Sequence, residues 1–131
     1  WEPLLVTREM DYALRILRTL HRDGLLSASS IAEREYLQKA VTLKILKRLH
    51  AAGIVSSRRG PDGGYLLARD CKELTLYDLF SALGETIVVN RCQQPGYRCE
   101  HPGNCNLCRE FRRVQAVLDS ELQRTPLSQL F

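Results

Sequence analysis

A chain of 131 residues, 44% hydrophobic and 26% charged, is sized for one domain with a modest core, and any extra amphipathic helix on it needs a partner surface. The formal net charge of +4 is only mildly basic, so a polyanion partner has to be recognised by local concentration of charge, not by the sum. No apolar run reaches the roughly 18 residues of a membrane span and the start lacks the pattern of a signal peptide, so a cytoplasmic protein is expected.

The first helix is predicted from Thr7 to about His21, because Met10, Ala13, Leu14, Leu17 and Leu20 recur at helical spacing and Gly24 stops it. Ser30-Ile31-Ala32-Glu33 has the form of a capping box and predicts the start of a short second helix. A third stripe, Thr42, Ile45, Leu46, Leu49 and Ala52, ends at Gly53, where a left-handed helix cap favours glycine. From Lys39 to Gly60 there are six basic residues and no acidic one. Ile54 to Arg59 and Tyr65 to Ala68 then read as two short strands around the turn Gly60-Pro61-Asp62-Gly63-Gly64.

Three helices followed by a two-stranded hairpin form a winged helix-turn-helix, in which one helix fits the major groove and a cationic hairpin tip reaches phosphates or the minor groove. Lys39, Lys44, Lys47 and Arg48 are the candidate contacts on the helix. Arg58, Arg59 and Gly60 are the candidates on the wing, with Gly60, Gly63 and Gly64 expected to permit close backbone approach. Thr75 caps a fourth helix that runs to about Leu83, with Gly84 as its stop.

Between Cys92 and Cys108, four of the five cysteines follow the pattern C-x6-C-x5-C-x2-C in a segment rich in Gly, Pro and Asn. Thiolates are soft ligands, and a flexible loop can fold several of them around one centre, so Cys92, Cys99, Cys105 and Cys108 are candidate metal ligands. An odd cysteine total in a reducing compartment argues against a disulfide framework. Four thiolates could hold zinc, yet only Cys105 and Cys108 have the tight spacing of a zinc knuckle, and the longer gaps favour an iron–sulfur cluster. Free redox thiols are the remaining reading.

A long helix follows, from about Asn106 to Arg124, with Leu107, Phe111, Val114, Leu118 and Leu122 as its stripe; a two-fold related copy of the same helix is the economical cover. Thr125-Pro126 predicts an N-cap and first position of a terminal turn running to Phe131. The organisation is thus a DNA-binding region over 1–84, a cysteine-rich loop over 85–108, and a dimerisation helix with its terminal turn over 106–131. All three form one structural domain, mainly α with a small β-hairpin.

On these residues the chain resembles the winged-helix transcription regulators of the IscR/NsrR/RirA/CymR family. The resemblance rests on Val6-Thr7 with Asp11-Tyr12-Ala13-Leu14, on the run from Ile54 through Gly60-Pro61-Asp62-Gly63-Gly64 to Leu67, and on the cysteine loop. It implies a homodimer joined by the long helix, with palindromic double-stranded DNA bound by the third helix and wing. It also implies three cluster ligands at Cys92, Cys99 and Cys105, with one extra residue between the first two. Members like IscR take a histidine as fourth ligand at the position of Cys108; members like NsrR take an acidic residue of the partner subunit, matching Asp11. Cys108 is preferred here on ligand chemistry, and a two-iron cluster (2Fe-2S) over a four-iron one (4Fe-4S) on the resemblance. The family's base-reading positions match Ala40, Val41 and Leu43, so the operator sequence is not carried over.

The function implied is a DNA-binding regulator whose operator binding is controlled by a cluster sensing redox state, nitric oxide or iron–sulfur status. A zinc-stabilised or thiol-redox regulator is the alternative. A small electron carrier or metal-delivery protein would use the same loop but has no need of a cationic hairpin. No nucleophile–base pair, phosphate loop or carboxylate dyad points to catalysis. His101 is read as a solvent-exposed loop residue, Cys71 as a half-buried structural thiol, and His21 and His50 as ordinary surface or phosphate-facing side chains.

Overall fold

A computed structural model describes residues 4–100 and 105–131, so His101 lies outside the described residues. The elements run α1 (Arg8–Asp23), α2 (Ala28–Glu35), α3 (Lys39–Ala51), β1 (Val55–Arg58), β2 (Gly64–Leu67), α4 (Leu76–Ala82), a 3-10 turn (Arg91–Gln93), α5 (Asn106–Leu122) and a second 3-10 turn (Leu127–Gln129). This is the expected winged helix, with a long helix appended after the cysteine loop.

In α1, the Thr7 hydroxyl accepts the Met10 N–H at 3.2 Å, and the Gly24 N–H closes the other end on Leu20 O at 2.9 Å. Between these caps, Met10, Ala13, Ile16, Leu17 and Leu20 are buried in one core with Ile31 of α2 and Ile45, Leu46 and Leu49 of α3. Each of the larger side chains among these stabilises the fold by about 2 kcal/mol through loss of contact with water. The core is therefore what fixes the angle at which α3 is presented.

The second helix starts one turn earlier than the local pattern indicates. Its cap is Ser27, whose hydroxyl accepts the Ser30 N–H at 3.1 Å, and Ser30 lies inside the helix. The cause is non-local: Leu26 pairs with Tyr65 of the hairpin, through Leu26 N–H to Tyr65 O at 3.0 Å and Tyr65 N–H to Leu26 O at 2.7 Å. That pairing holds the chain extended up to Leu26 and lets it turn helical immediately afterwards.

In the wing, Val55 pairs with Leu67 and Arg58 with Gly64. The glycines of its turn are needed by the protein itself. A Cβ on Gly63 would lie 2.3 Å from Arg58 O, and one on Gly64 would lie 2.4 Å from Leu26 O. Close approach at these two positions is therefore to the chain's own backbone, whereas a Cβ on Gly60 would meet nothing within 4 Å.

Thr75 caps α4 as expected, and Asp78 completes a box with it: the Thr75 hydroxyl accepts the Asp78 N–H at 3.3 Å, and the Asp78 carboxylate accepts the Thr75 N–H at 2.9 Å. The terminal turn opens one residue later than predicted, at Leu127, without a side-chain cap. Leu127 is fully buried, and its N–H bonds to Leu74 O at 2.8 Å, so the chain end is stapled beneath the α4 entry.

On α5, Leu118 and Leu122 lean on the core, while Leu107, Val114 and Val117 stay exposed at 70%, 37% and 55%. The helix therefore has one half packed on its own domain and a second apolar surface facing out. Among the described residues, no helix is long and apolar enough to cross a membrane.

Candidate metal-binding cysteines and nucleic-acid interface

Three of the four loop cysteines stand at the start of α5 or directly beside it. Cys105 is the N-cap of the helix, its Sγ accepting the Cys108 N–H at 3.4 Å. Cys108 lies in the first helical turn. Cys92, in the 3-10 turn, is carried to the same place by Gln93, whose Nε2 is 3.2 Å from Cys92 Sγ, 3.4 Å from Cys108 O and 3.8 Å from Cys108 Sγ. Asn90 Nδ2 approaches Cys92 Sγ at 3.4 Å and an Arg112 nitrogen approaches Cys108 Sγ at 3.8 Å.

The donors to Cys92 favour the charged form of its sulfur. The Gln93 amide foremost, with smaller help from Asn90 and the Cys108 thiol, holds the Cys92 thiol below its ordinary range despite some loss of hydration. Cys99 is exposed on the intervening loop. Among the described residues, no three Cys, His, Asp or Glu side chains are gathered closely enough to hold an ion. Asp11 is on α1, paired with Arg15 at 3.1 Å.

The residues fit a soft metal centre: the convergent donors are sulfur, and the neighbouring nitrogens point N–H groups at that sulfur, as thiolate ligation requires. Cys71 stands apart. It is 1% exposed and so more deeply buried than expected; burial foremost, then the Asp70 carboxylate, pushes its thiol up. That environment makes it an inert core thiol.

Two side chains tie the segment between α4 and the cysteines to the helices around it. Gln115 of α5 accepts the Val89 N–H at 2.8 Å and donates to Ile87 O and to Asp119 Oδ1, both at 2.9 Å. At the near end of the same segment, Arg48 of α3 donates to the carbonyl of Leu83 and is ion-paired with Glu9 of α1. The half-exposed Arg48 guanidinium thus joins α1, α3 and the end of α4.

The other basic candidates face water. Lys39, Lys44 and Lys47 on α3 and Arg58 and Arg59 on the wing are exposed, as is Gly60. Among the described residues none of these five cations is in an ion pair, whereas Arg15, Arg18, Arg34, Arg48, Arg113 and Arg124 all are. A hollow of about 550 Å³ opens beside α3, with Arg8, Tyr12, Tyr36, Val41 and Lys44 in its wall.

Sequence reasoning missed Tyr36, which closes α2 in the left-handed conformation (φ 56°) and is 95% exposed in the turn before α3. Nothing in its neighbours marks it. It missed Gln93 and Gln115 as well; adjacency to Cys92 was the one available signal for the former. His21 packs on the Phe131 ring at 5.8 Å, a surface contact.

Comparison with known proteins agrees with this geometry. A family profile described as Rrf2, iron-dependent transcriptional regulator, matches residues 6–131. The HTH-type transcriptional regulator IscR of Photorhabdus laumondii is 34% identical over 99 residues, which cover 72% of this chain and 57% of that protein; the chain thus spans little more than half of this relative. IscR of Klebsiella pneumoniae is 30% identical over 125 residues, 95% of this chain and 73% of the relative. Among solved structures, CymR, the global cysteine regulator of B. subtilis, superposes with a TM-score of 0.78 at 25% identity, covering 98% of this chain and 96% of that one. With its winged helix, cysteine loop and long last helix all inside the matched span, the chain belongs to the Rrf2 family of transcriptional regulators.

Proposed function

We propose that this protein is a homodimeric regulator that binds palindromic double-stranded DNA and whose grip is controlled by an iron–sulfur cluster, most simply 2Fe-2S, on Cys92, Cys99, Cys105 and Cys108. The observation that carries the DNA half is the row of exposed, unpaired cations Lys39, Lys44, Lys47, Arg58 and Arg59 along α3 and the wing. Lysine and arginine on two adjoining elements supply phosphate contacts, and α3 supplies the groove-sized rod. Arg48 holds α3 in place. The exposed Leu107, Val114 and Val117 of α5 supply the dimer face, whose partner copy would also bring its own Asp11 within consideration as a ligand.

A cluster, when bound, supplies a centre that exchanges electrons and reacts with oxidants or nitric oxide. The chain's own part is to translate occupancy into geometry. Cys105 caps α5, Gln115 ties α5 to residues 87–89, and Arg48 ties the end of α4 to α3. A thiol-redox regulator is the second reading, favoured by the contact between the Cys92 and Cys108 thiols and by the likeness to CymR.

Protein purified without oxygen should contain iron and acid-labile sulfide in equal amounts, and removing them should change operator affinity. Cys108→Ala should lose the cluster and Asp11→Ala keep it; the reverse pattern would move the fourth ligand to the partner subunit. Stoichiometric zinc without a chromophore would end the sensing mechanism. Separately, Arg59→Ala should lower the slope of log affinity against log salt by about 1 per protomer. An unchanged slope would remove the wing from the phosphate contacts.

A further inference from the structure

We infer that Gln93 is a positioning residue of the cysteine centre: its side-chain amide pins Cys92 to Cys108 before metal arrives, making a half-site from the two ends of the loop. The inference rests on the metal-binding reading above and adds a residue that is itself no ligand.

The geometry is specific. One nitrogen, Gln93 Nε2, lies within reach of Cys92 Sγ at 3.2 Å, Cys108 O at 3.4 Å and Cys108 Sγ at 3.8 Å. Cys92 and Cys108 are separated by fifteen intervening residues of a loop rich in Gly, Pro and Asn, so proximity in sequence does not bring their sulfurs together. The amide bridges them across the mouth of that loop, from the 3-10 turn to the first turn of α5. Its two hydrogens suit this role, since one can point at the Cys92 sulfur while the other meets the Cys108 carbonyl or sulfur. A carboxylate of the same shape has neither hydrogen and would repel two thiolates.

Cys108 is fixed by the α5 backbone, Cys105 by its cap, and Cys92 by Gln93. A metal ion therefore meets a prepared edge of sulfur. Preparing ligands in advance lowers the entropic cost of capture, and removing such a supporting residue typically weakens metal affinity about 10- to 100-fold.

The test uses the full-length protein and Co(II) alone, whose thiolate charge-transfer absorption reports how many sulfurs bind. Gln93→Leu, similar in size and without a donor, should bind Co(II) at least about tenfold more weakly than the parent. Gln93→Glu should be weaker still. Equal affinity and equal absorption in all three would overturn the inference; failure of the parent to bind Co(II) would instead overturn the metal reading on which it rests. The pin is also testable without metal. Diamide, which takes two electrons and two protons from a thiol pair, should give Cys92–Cys108 as the main cross-link in the parent and a mixture in Gln93→Leu. The same cross-link in both would show that the amide does not hold the pair.

Discussion

Replacing Cys105 by alanine is expected to weaken metal binding strongly and also to fray the first turn of α5, whereas replacing it by serine should weaken metal binding alone. Cys105 holds two positions at once, candidate ligand and N-cap, since its Sγ accepts the Cys108 N–H. A serine hydroxyl is a preferred cap but a poor ligand for a soft metal, and alanine is neither. The capping loss is worth about 1 kcal/mol. The ligand loss is larger, about 3 kcal/mol or roughly a hundredfold in affinity, if the binding energy of a four-thiolate zinc site is shared equally among its ligands. Amide exchange over residues 107–109 separates the two effects, with absorption of the metal-loaded protein read alongside. Equal protection in both variants would show that the sulfur cap contributes nothing to the helix.

Gly64→Ala should be among the most destabilising single changes in the wing, by about 3 kcal/mol. The added Cβ would lie 2.4 Å from Leu26 O, 2.6 Å from Leu26 C and 2.9 Å from Ser27 N, all of them backbone atoms that cannot swing aside. Relief requires breaking the Leu26–Tyr65 pairing, which would cut the hairpin from α2 and loosen the helix cap at Ser27. For a domain of this size the loss corresponds to a fall in Tm of roughly 10 °C. Gly60→Ala is the control: it meets nothing within 4 Å, and at φ +108° it carries conformational strain only. A Gly64→Ala variant that melts with the parent would mean that the wing and α2 are not joined as described.

Much of this architecture was legible in the chain because its signals are local. Thr7 with Gly24, and Thr75 with Asp78, mark helix limits through atoms three or four residues apart, and the aliphatic spacing of α1 and α3 states which face is buried. The start of α2 was misplaced for the opposite reason. Ser30 and Glu33 make an acceptable local box, and what selects Ser27 is a strand-like contact from Tyr65, far along the chain. The partners of Arg48 were hidden in the same way: on a basic helix it reads as one more phosphate contact, and Glu9 and the Leu83 carbonyl, both distant in sequence, engage it as well. At the cysteines, spacing marked the sulfurs and the family resemblance ranked them; neither could show that amides rather than carboxylates surround them.

Gln115 illustrates how narrow such a position becomes. Its carbonyl faces the Val89 N–H, and its amide group serves both Ile87 O and Asp119. A single side chain here takes the place of one residue of a neighbouring strand, offering an acceptor and a donor to alternate backbone groups. Glutamate would fit the space but turn the donor into a second negative charge beside Asp119, asparagine is one methylene short, and leucine would leave a backbone N–H and C=O unanswered. Deamidation to glutamate would here keep the acceptor for the Val89 N–H but lose the donor to Ile87 O and Asp119, weakening the tie between the long helix and the segment leading to Cys92.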